Sequence, residues 1–305
     1  IKEEKIIEQF KETLEPYTKE NALSELFIEP EKFDIILNTL KRKKNIILQG
    51  SPGVGKTYFA KRLAYTLIGF KDKSKLNMIQ FHQSYSYEDF MQGFRPTEEG
   101  KFVLKNGVFY EFCQKAIKDI ENSYVFIIDE INRGNLSKIF GELMMLIETD
   151  KRGKEFSIPL TYSKDENEAF YVPENVHIIG TMNTADRSLA IVDYALRRRF
   201  SFIDIEPAYN KQSFSDYLEK NSISKELIER INLKLGNLNQ IIEKDNRLGK
   251  GFRIGHSYFS GNIESENQTE WYKSIIQTEI APLILEYWFD DETQAAGHIE
   301  KLMEI

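Results

Sequence analysis

Five short apolar segments recur between residues 45 and 206, and stretches with helical spacing separate most of them. The segments are NIILQ (45–49), NMIQFH (77–82), SYVFIID (123–129), VHIIGTM (176–182) and FSFIDIE (200–206). Continuous apolar runs of this length are typical of strands that are buried on both faces of a parallel sheet. Because strands that alternate with helices indicate βαβ units, the pattern predicts an α/β fold with a five-stranded parallel core sheet.

Two further segments interrupt this alternation and predict inserted β-hairpins. In GKFVLKNGVFYEF (100–112), the pair Asn106-Gly107 lies between alternating residues, which is a signal for a two-residue hairpin turn. In FSIPLTYSKDENEAFYVP (156–173), two strand-like arms flank an acidic, polar tip at Ser163–Glu168. In a ring-shaped assembly this tip would face the pore or a partner, and a plain surface loop is the alternative.

Beyond Pro207 the apolar residues take helical spacing, notably in residues 225–244 and 271–289. This change predicts three parts of the chain. Residues 1–20 would form an N-terminal linker or helix, residues 21–207 a large α/β subdomain, and residues 208–305 a separate helical subdomain.

The composition is that of an ordinary soluble globular protein, with 305 residues, 41% hydrophobic and 29% charged. A net charge of −7 argues against a dedicated DNA-binding domain, which usually has a basic surface. The single cysteine, Cys113, excludes an internal disulfide and fits a reducing compartment. There is neither a signal-peptide pattern nor an apolar run long enough for a membrane helix, so we expect a cytoplasmic protein. Since the chain begins with Ile1, we expect it to be part of a longer protein.

The segment GSPGVGKT, Gly50–Thr57, matches the phosphate-binding pattern G-x-x-x-x-G-K-[ST] and stands between a predicted strand and a predicted helix, as that pattern requires. Glycines let successive backbone N–H groups point at phosphate oxygens, and the helix N-terminus adds its positive dipole end. Lys56 would hold the β- and γ-phosphates, and Thr57 would ligate Mg²⁺. The cofactor-binding residues that this segment predicts are Gly50, Ser51, Pro52, Gly53, Val54, Gly55, Lys56 and Thr57.

Polar side chains also follow two other predicted strands. Asp129 and Glu130 follow the apolar run VFII; in a P-loop enzyme the first would hold Mg²⁺ and the second would orient the attacking water. Asn183 follows VHIIGTM. Since the carboxyl ends of parallel strands meet at one edge of a sheet, we expect Asn183 beside Asp129, with its amide directed at a phosphate oxygen or the water. Capping of the following turn is the alternative role for Asn183.

Three consecutive arginines, Arg197–Arg199, follow the helical segment LAIVDYAL (189–196). We expect them to lie on the far side of that element from the chain's own phosphates. In a ring they would face the neighbouring subunit's nucleotide, where a guanidinium neutralises charge that develops on the transferred phosphoryl group. The alternative is a solvated basic helix end that complements its own dipole.

In this order and spacing, GSPGVGKT, IIDEIN, GTMNTADRS and YALRRRF resemble the AAA+ ATPase superfamily. The hairpin before the fourth core strand is similar to that of the pre-sensor-1 β-hairpin clade. The match narrows to the McrB family on MNTADRSLAIVDYALRRRFSFIDIEP, FHQSYSYEDF and LGKGFRIGHSYF, and it runs from about residue 21 to the C-terminus.

The resemblance implies an AAA+ P-loop NTPase in which residues 21–207 bind the nucleotide and residues 208–305 form a helical lid. It implies GTP and Mg²⁺ as cofactors, a homo-oligomer that in this family is a hexamer, and a partner endonuclease subunit similar to McrC. Such a motor would power DNA translocation and cleavage in a methylation-dependent restriction complex of a bacterium or archaeon. It would reach modified DNA through a separate N-terminal domain, which this chain lacks.

The resemblance also implies roles for single residues. Asp129 and Glu130 would be the Walker B pair, Asn183 the sensor, and Arg198 or Arg199 the arginine finger that acts in trans. The residues assigned to the signature segment and the subunit interface are Asn132, Arg133, Asp186 and Arg187. The base pocket would lie in the leading segment ALSELFIE (22–29) together with the lid. The candidate nucleotide contacts are Leu26, Phe27, Arg253 and His256, and contact with the neighbouring subunit is the alternative role for Arg253 and His256.

The residues alone leave the base open, because the chain has no N-K-x-D motif of the kind that reads guanine. An ATP-using remodelling factor of the MoxR-like branch is therefore the alternative enzyme. A nucleotide-gated scaffold, whose hydrolysis is incidental, is the alternative binding module. The adjacent pair Asp129 and Glu130 speaks against the scaffold, which has no need of the second carboxylate.

Overall fold

A computed structural model describes residues 14–163, 169–186, 194–261 and 267–304. The strands are β1 (Asn45–Gly50), β2 (Leu76–Gln80), β3 (Gln92–Pro96), β4 (Phe102–Asn106), β5 (Tyr124–Asp129), β6 (Ile158–Pro159), β7 (Ala169–Phe170), β8 (Val176–Asn183) and β9 (Ser201–Asp204). The helices are α1 (Lys19–Glu25), α2 (Pro30–Lys43), α3 (Lys56–Ile68), α4 (Tyr87–Phe90), α5 (Val108–Lys118), α6 (Leu136–Phe140), α7 (Leu143–Leu146), α8 (Tyr194–Arg199), α9 (Gln212–Lys220), α10 (Lys225–Lys244), α11 (Gln268–Ile275), α12 (Ala281–Tyr287) and α13 (Glu292–Met303). A π-helical turn, Ile276–Ile280, joins α11 to α12.

The central sheet has the order β2-β5-β8-β1-β9, and every pair in it is parallel. The five predicted core strands and their parallel arrangement are thus confirmed. Gly50 at the end of β1 is in register with Asn183 at the end of β8. Asp129 ends the next strand outward, β5, so the polar residues that follow these strands share one edge of the sheet.

Side chains on the two faces of the sheet belong to different apolar clusters, which explains the continuous apolar runs. In β1, Ile47 packs into the cluster under α5, α6 and α7, whereas Ile46 and Leu48 pack into the cluster with α1, α2 and α3. A third cluster joins the helices that follow Pro207, from Ala208 to Leu302. None of the described helices is both long and apolar enough to span a membrane.

The first inserted hairpin exists, but the predicted position of its turn was wrong. β3 pairs with β4 in antiparallel register, and the chain turns at residues 97–101, where the Thr97 N–H donates to the Lys101 oxygen. Asn106 ends β4, and Gly107 precedes α5 as its N-cap residue. A Cβ at Gly107 would lie 2.5 Å from the carbonyl carbon of Phe90, so this glycine allows a close approach to α4 and does not form a hairpin turn.

The second inserted hairpin consists of β6 and β7, which pair in antiparallel register just before β8. Most of its predicted tip, residues 164–168, lies outside the described residues. The two hairpins are neighbours, since the rings of Phe94 and Tyr162 make an edge contact with centroids 5.9 Å apart. Tyr162 also donates from its hydroxyl to Glu88 at 2.7 Å.

Candidate active site

The phosphate-binding loop, Gly50–Gly55, begins at the end of β1 and leads into the first turn of α3. A Cβ at Gly50 would lie 2.3 Å from the backbone oxygen of Ile205, so the residue that follows β9 excludes a side chain here. Gly53 and Gly55 have φ values of 74° and 73°, in the left-handed region that favours glycine. The predicted segment therefore forms a tight loop before a helix N-terminus, which is the arrangement that binds phosphate.

The ammonium group of Lys56 is buried inside this loop, and only 8% of the residue is exposed. Its Nζ donates to the backbone oxygens of Gly50 and Ser51 at 3.0 and 2.9 Å, and to Oδ1 of Asn183 at 2.6 Å. Burial lowers the pKa of Lys56 to about 8, although nearby carboxylates oppose this shift. A phosphate group beside this ammonium would offset the cost of burying its charge.

The two predicted Mg²⁺ ligands are in direct contact. Thr57 Oγ1 donates to Asp129 Oδ1 at 2.7 Å, and Thr181 Oγ1 donates to the same oxygen at 2.5 Å. Hydroxyl and carboxylate oxygens suit Mg²⁺, which would take its other ligands from phosphate groups and water. Across residues 14–163, 169–186, 194–261 and 267–304, no group of three or more His, Cys, Asp or Glu side chains could hold a metal ion.

Glu130 follows β5 in a left-handed conformation, with φ 52° and ψ 45°. Such a conformation is uncommon for a residue with a side chain and recurs at functional sites. Asn183 Nδ2 donates to Glu130 Oε1 at 2.5 Å, and Arg133 Nε donates to Oε2 at 3.1 Å. Asn183 therefore bridges Glu130 to Lys56, and the structure brings together three of the residues that the sequence assigned to catalysis and phosphate binding.

The residues assigned to the subunit interface lie around the short helical turn after Glu130. Arg133 and Asp186 form an ion pair, with 3.2 Å between Nη2 and Oδ2, at a partly exposed surface. Asn132 is buried, and its Oδ1 has no hydrogen-bond partner among the described residues. Arg187 lies outside the described residues.

The segment of the lid between α10 and α11 lies directly on the phosphate-binding loop. The Gly255 N–H donates to the Pro52 oxygen at 3.1 Å, and the Ser257 N–H donates to the Gly53 oxygen at 2.8 Å. A Cβ at Gly255 would lie 1.9 Å from the carbonyl carbon of Gly53. Lid and loop are therefore joined through their backbones, and position 255 has no room for a side chain.

A largely apolar cavity of about 250 Å³ adjoins the loop on the side of α1 and the lid. Three of the four predicted base contacts, Leu26, Phe27 and His256, line this cavity. Phe27 makes edge contacts with the rings of Phe214, Tyr217 and His256, whose centroids lie 5.1–5.3 Å from its own. The leading segment is thus anchored to the lid, and together they form a pocket of the kind that accepts a flat base.

His256 closes the lid side of this cavity in a neutral form. Its Nδ1 accepts a hydrogen bond from the Ala208 N–H at 3.1 Å, and burial lowers its pKa to about 4. The fourth predicted contact, Arg253, is not a wall of this cavity. Its guanidinium lies 3.6 Å from carboxylate oxygens of Glu206 and Glu243, in a separate groove.

The arginine-bearing helix α8 lies at the opposite edge of the sheet from the phosphate-binding loop. Asn45, the first residue of β1, donates from its side chain to the backbone oxygen of Arg199 at 3.2 Å. Gly50, the last residue of the same six-residue strand, opens the loop. Because a strand rises about 3.3 Å per residue, about 17 Å separates the two ends. The arginines are therefore remote from the chain's own loop, as expected.

The three arginines of α8 have different surroundings. The guanidinium of Arg199 pairs with Glu148 at 2.6 Å and donates to the Met144 oxygen. Arg197 lies over the ring of Phe202, 5.4 Å from its centroid. Arg198 is exposed and lines a small cavity beside Arg199.

Sequence reasoning missed Thr181 and the charged rim of the base cavity. Thr181 accepts from the Glu130 N–H at 3.2 Å in addition to its bond with Asp129, so it orders both members of the acidic pair. Its signal was a hydroxyl side chain in an otherwise apolar strand, two positions before Asn183. The rim of the cavity carries two pairs of opposite charge, Lys211 with Glu29 at 3.2 Å and Lys32 with Glu206 at 3.8 Å.

These features define a P-loop nucleotide-binding domain. The parallel sheet has five strands, the phosphate-binding loop follows β1, the acidic pair lies at the end of β5, and a helical lid covers the loop. The family described as "AAA domain (dynein-related subfamily)" matches residues 45–200, and the chain belongs to this family. The domain described as "McrB, alpha-helical lid domain" matches residues 230–296. The predicted fold class is confirmed.

Two characterised relatives are similar to the chain. The "Type IV methyl-directed restriction enzyme EcoKMcrB subunit" of Escherichia coli (strain K12) is 56% identical over 292 residues, which cover 95% of this chain and 63% of that protein. The "Type II restriction enzyme BsuMI component YdiS" of Bacillus subtilis (strain 168) is 28% identical over 200 residues, which cover 53% of this chain and 57% of that protein. The chain thus spans about three fifths of the length of these relatives, and the resemblance to the McrB family is confirmed.

Proposed function

We propose that the chain is the GTP-hydrolysing AAA motor of a methylation-dependent restriction complex. The family match and the 56% identity to a methyl-directed restriction subunit support the biological setting. The observation that carries the hydrolytic activity is the contact chain from Lys56 through Asn183 to Glu130. It joins a phosphate-binding cation, a neutral amide and a candidate base at one edge of the sheet.

The described residues fit a nucleoside triphosphate with Mg²⁺. The loop amides and Lys56 would hold the phosphates, and Thr57 and Asp129 would hold the metal ion, which neutralises phosphate charge when bound. Glu130 would orient and polarise the attacking water, while Asn183 would position that water or the γ-phosphate. Thr181 would keep the Asp129 carboxylate turned towards Thr57.

Of the two candidate arginines, we assign the role in trans to Arg198. Arg199 is engaged by Glu148 and the Met144 oxygen within its own protomer, and Arg197 lies over Phe202. Arg198 is exposed on the same helix, about one strand length from its own loop. Each site would then be completed by a neighbouring copy, which requires a homo-oligomer; a closed ring with the hexameric size of the family satisfies this requirement.

Guanine is favoured by the charges at the rim of the base cavity. A carboxylate can accept from both N1–H and N2–H of guanine at once, whereas N1 of adenine is itself an acceptor. Glu29 and Glu206 lie at the rim, and each has a lysine beside it that could donate to the O6 of guanine. The carboxylates support GTP as the nucleotide, whereas the lysines do not distinguish the bases, because an ammonium group could also donate to N1 of adenine.

The identity to the E. coli subunit supports the remaining parts of the proposal. The motor would act with an endonuclease subunit similar to McrC, and it would reach DNA through that complex and through an N-terminal domain that precedes the motor. The complex would operate in the cytoplasm of a bacterium or archaeon. No membrane partner is needed for this role.

Nucleotide-dependent mass measurement, combined with hydrolysis rates for GTP and ATP, tests the proposal. We expect oligomers only with nucleotide and GTP turnover at least tenfold faster than ATP turnover. Equal use of ATP would favour the remodelling alternative, and nuclease recruitment that is complete with a non-hydrolysable analogue would favour the scaffold.

The role of Arg198 has its own test. Mixing inactive Arg198→Ala protein with inactive Lys56→Ala protein should restore turnover, because the second variant supplies the missing arginine to intact loops of the first. Arg197→Ala is the matched control and should keep most activity. Full activity in a dilute monomer would overturn the trans arrangement.

A further inference from the structure

A buried arginine lies at the edge of the sheet opposite the phosphate-binding loop. Only 3% of Arg152 is exposed, and burial lowers its pKa to about 10, so the guanidinium remains charged at neutral pH. It donates to the backbone oxygens of Ile147, Pro173 and Val176 at 3.2, 3.4 and 2.7 Å, and to Oδ1 of Asn45 at 2.7 Å. Burying such a charge costs free energy, and the rigid guanidinium fixes the positions of the oxygens that accept its hydrogen bonds.

Asn45 continues this network to the arginine-bearing helix. The residue is fully buried, and its Nδ2 donates to the backbone oxygens of Ile147 and Arg199 at 2.7 and 3.2 Å. Arg152 holds the oxygen of the amide, and the amide nitrogen holds the last residue of α8. Carbonyl groups at a helix C-terminus have no partner within the helix, so this bond fixes where α8 ends.

The same segment anchors the side chain of Arg199. Glu148, next to Ile147 in the chain, pairs with its guanidinium, and the Met144 oxygen accepts from Nε. The end of α8 is therefore held twice, once through the Arg199 backbone and once through its side chain. Because Arg198 is the preceding residue of the same helix, these two contacts of Arg199 also fix the position of Arg198.

β1 connects this network to the nucleotide site. Asn45 begins the strand and Gly50 ends it, and hydrogen bonds to β8 and β9 fix the strand on both sides. A strand within a sheet does not bend independently of its neighbours. Within one protomer, β1 and the network of Arg152 and Asn45 thus set the distance between the phosphate-binding loop and Arg198.

We propose that Asn45 and Arg152 are positioning residues that hold Arg198 in place for the nucleotide of the neighbouring protomer. The inference rests on the proposed function, in which Arg198 acts in trans. Neither residue touches the nucleotide; both act through the backbone of Arg199. Their loss would impair the next protomer's site and leave the protomer's own loop intact.

Asn45→Asp is the most direct variant, because it keeps the shape of the side chain and the contact with Arg152 but removes both donated bonds. We expect nucleotide affinity within about twofold of the parent protein, unchanged assembly, and a kcat at least tenfold lower, since an arginine finger contributes about 10³–10⁵ in rate. Arg152→Lys keeps the charge without the fork of donors and should act in the same direction. Unchanged kcat in both variants, with Arg198→Ala inactive, would overturn the inference alone.

Asn175→Asp is the matched control at the same edge of the sheet. Asn175 Nδ2 donates to the backbone oxygens of Ala116, Asp119 and Asn122 at 3.1, 3.0 and 2.8 Å. None of these groups belongs to α8 or to the segment that anchors it. This variant should lose stability and keep its kcat, so a general loss of packing at this edge would be recognised.

Mixed oligomers decide which site is impaired. Lys56→Ala protomers have an intact α8, so adding them to Asn45→Asp protein should restore turnover at the loops of the latter. Failure of this rescue would mean that Asn45 acts on its own loop, and would overturn the inference. The residual turnover of the double variant Asn45→Asp with Arg198→Ala should be no slower than the residual turnover of Arg198→Ala alone; a further tenfold loss of that residual rate would also overturn the inference. If Arg198→Ala itself kept full activity, the trans arginine of the proposed function would fail instead.

Discussion

Lys56 and Asn183 are 127 positions apart in the chain, yet Nζ of one lies 2.6 Å from Oδ1 of the other. The contact exists because β1 and β8 are parallel neighbours in register, with Gly50 opposite Asn183. An anion that binds Lys56 must compete with this amide. Since the same amide donates to Glu130, phosphate binding and the orientation of the carboxylate are linked through Asn183.

Glu130→Gln should separate binding from turnover. The amide keeps the size of the side chain but cannot act as a base, so we expect unchanged nucleotide affinity and a kcat lower by about a hundredfold or more. Equilibrium binding of a fluorescent nucleotide and steady-state phosphate release measure the two effects. Glu226→Gln, on the exposed face of α10, is the control and should match the parent protein. Equal turnover in the Glu130 variant would exclude its catalytic role.

Thr181→Val should raise the Mg²⁺ concentration needed for half-maximal turnover by about tenfold. The valine removes the donor to Asp129 and leaves the Glu130 N–H without its acceptor. Groups that orient a metal ligand are worth about 10–100-fold in metal affinity. Magnesium titrations of the hydrolysis rate measure the shift. Thr181→Ser retains the hydroxyl and should behave like the parent protein; a serine variant as poor as the valine variant would point to packing instead.

Gly255→Ala should abolish nucleotide binding or unfold the contact between lid and loop. The added Cβ would need the space of the Gly53 carbonyl, 1.9 Å away. Gly297→Ala in α13 is the control, because nothing lies within 4 Å of its added Cβ and alanine favours a helix by about 1 kcal/mol over glycine. Thermal unfolding with and without nucleotide measures both. A Gly255 variant that is stabilised by nucleotide as strongly as the parent would contradict the contact.

His256 should make the stability depend on pH in the acidic range. Burial lowers its pKa from 6.5 to about 4, so the unfolded chain takes up the proton first as the pH falls. The free energy of unfolding is therefore highest above pH 6.5 and falls as the pH is lowered towards 4. The pKa shift corresponds to a loss of about 3 kcal/mol over this range. Denaturant titrations between pH 7 and 4 measure the free energy of unfolding.

His256→Asn is the comparison for this pH dependence. Its side-chain oxygen can replace Nδ1 as the acceptor for the Ala208 N–H, and it does not titrate. The free energy of unfolding of this variant should vary less with pH, by about the same 3 kcal/mol. His177, whose pKa burial lowers to about 3, acts equally in both proteins. Parallel pH curves for the two proteins would exclude His256 as the source.

The core of the fold could be predicted because its signals are local. Each inner strand is apolar on both faces, and the phosphate-binding motif fixes a strand, a loop and a helix in order. The sequence wrongly predicted a turn at Asn106-Gly107, because Gly107 is required by a close approach of α4 and not by its own dihedral angles. A glycine selected by a distant neighbour looks the same in a sequence as a glycine selected by a turn.

The site could be predicted where it depends on the ends of strands. Asp129, Glu130 and Asn183 meet because parallel strands end at one edge, which the order of motifs already implies. The different surroundings of Arg198 and Arg199 could not be predicted, because consecutive arginines are equivalent in sequence and differ only in what Glu148 and Met144 engage. The position of Arg253 likewise depends on two carboxylates, Glu206 and Glu243, that are distant from each other in the chain.

The two backbone hydrogen bonds from Gly255 and Ser257 connect the lid rigidly to the phosphate-binding loop. If the phosphate-binding loop changed its shape when a terminal phosphate left, the whole helical subdomain would then tilt with it. In a closed assembly, a tilt of that kind has to be accommodated by the adjoining copy. In the proposed motor, the lid would thus be the part of each protomer that transmits this movement.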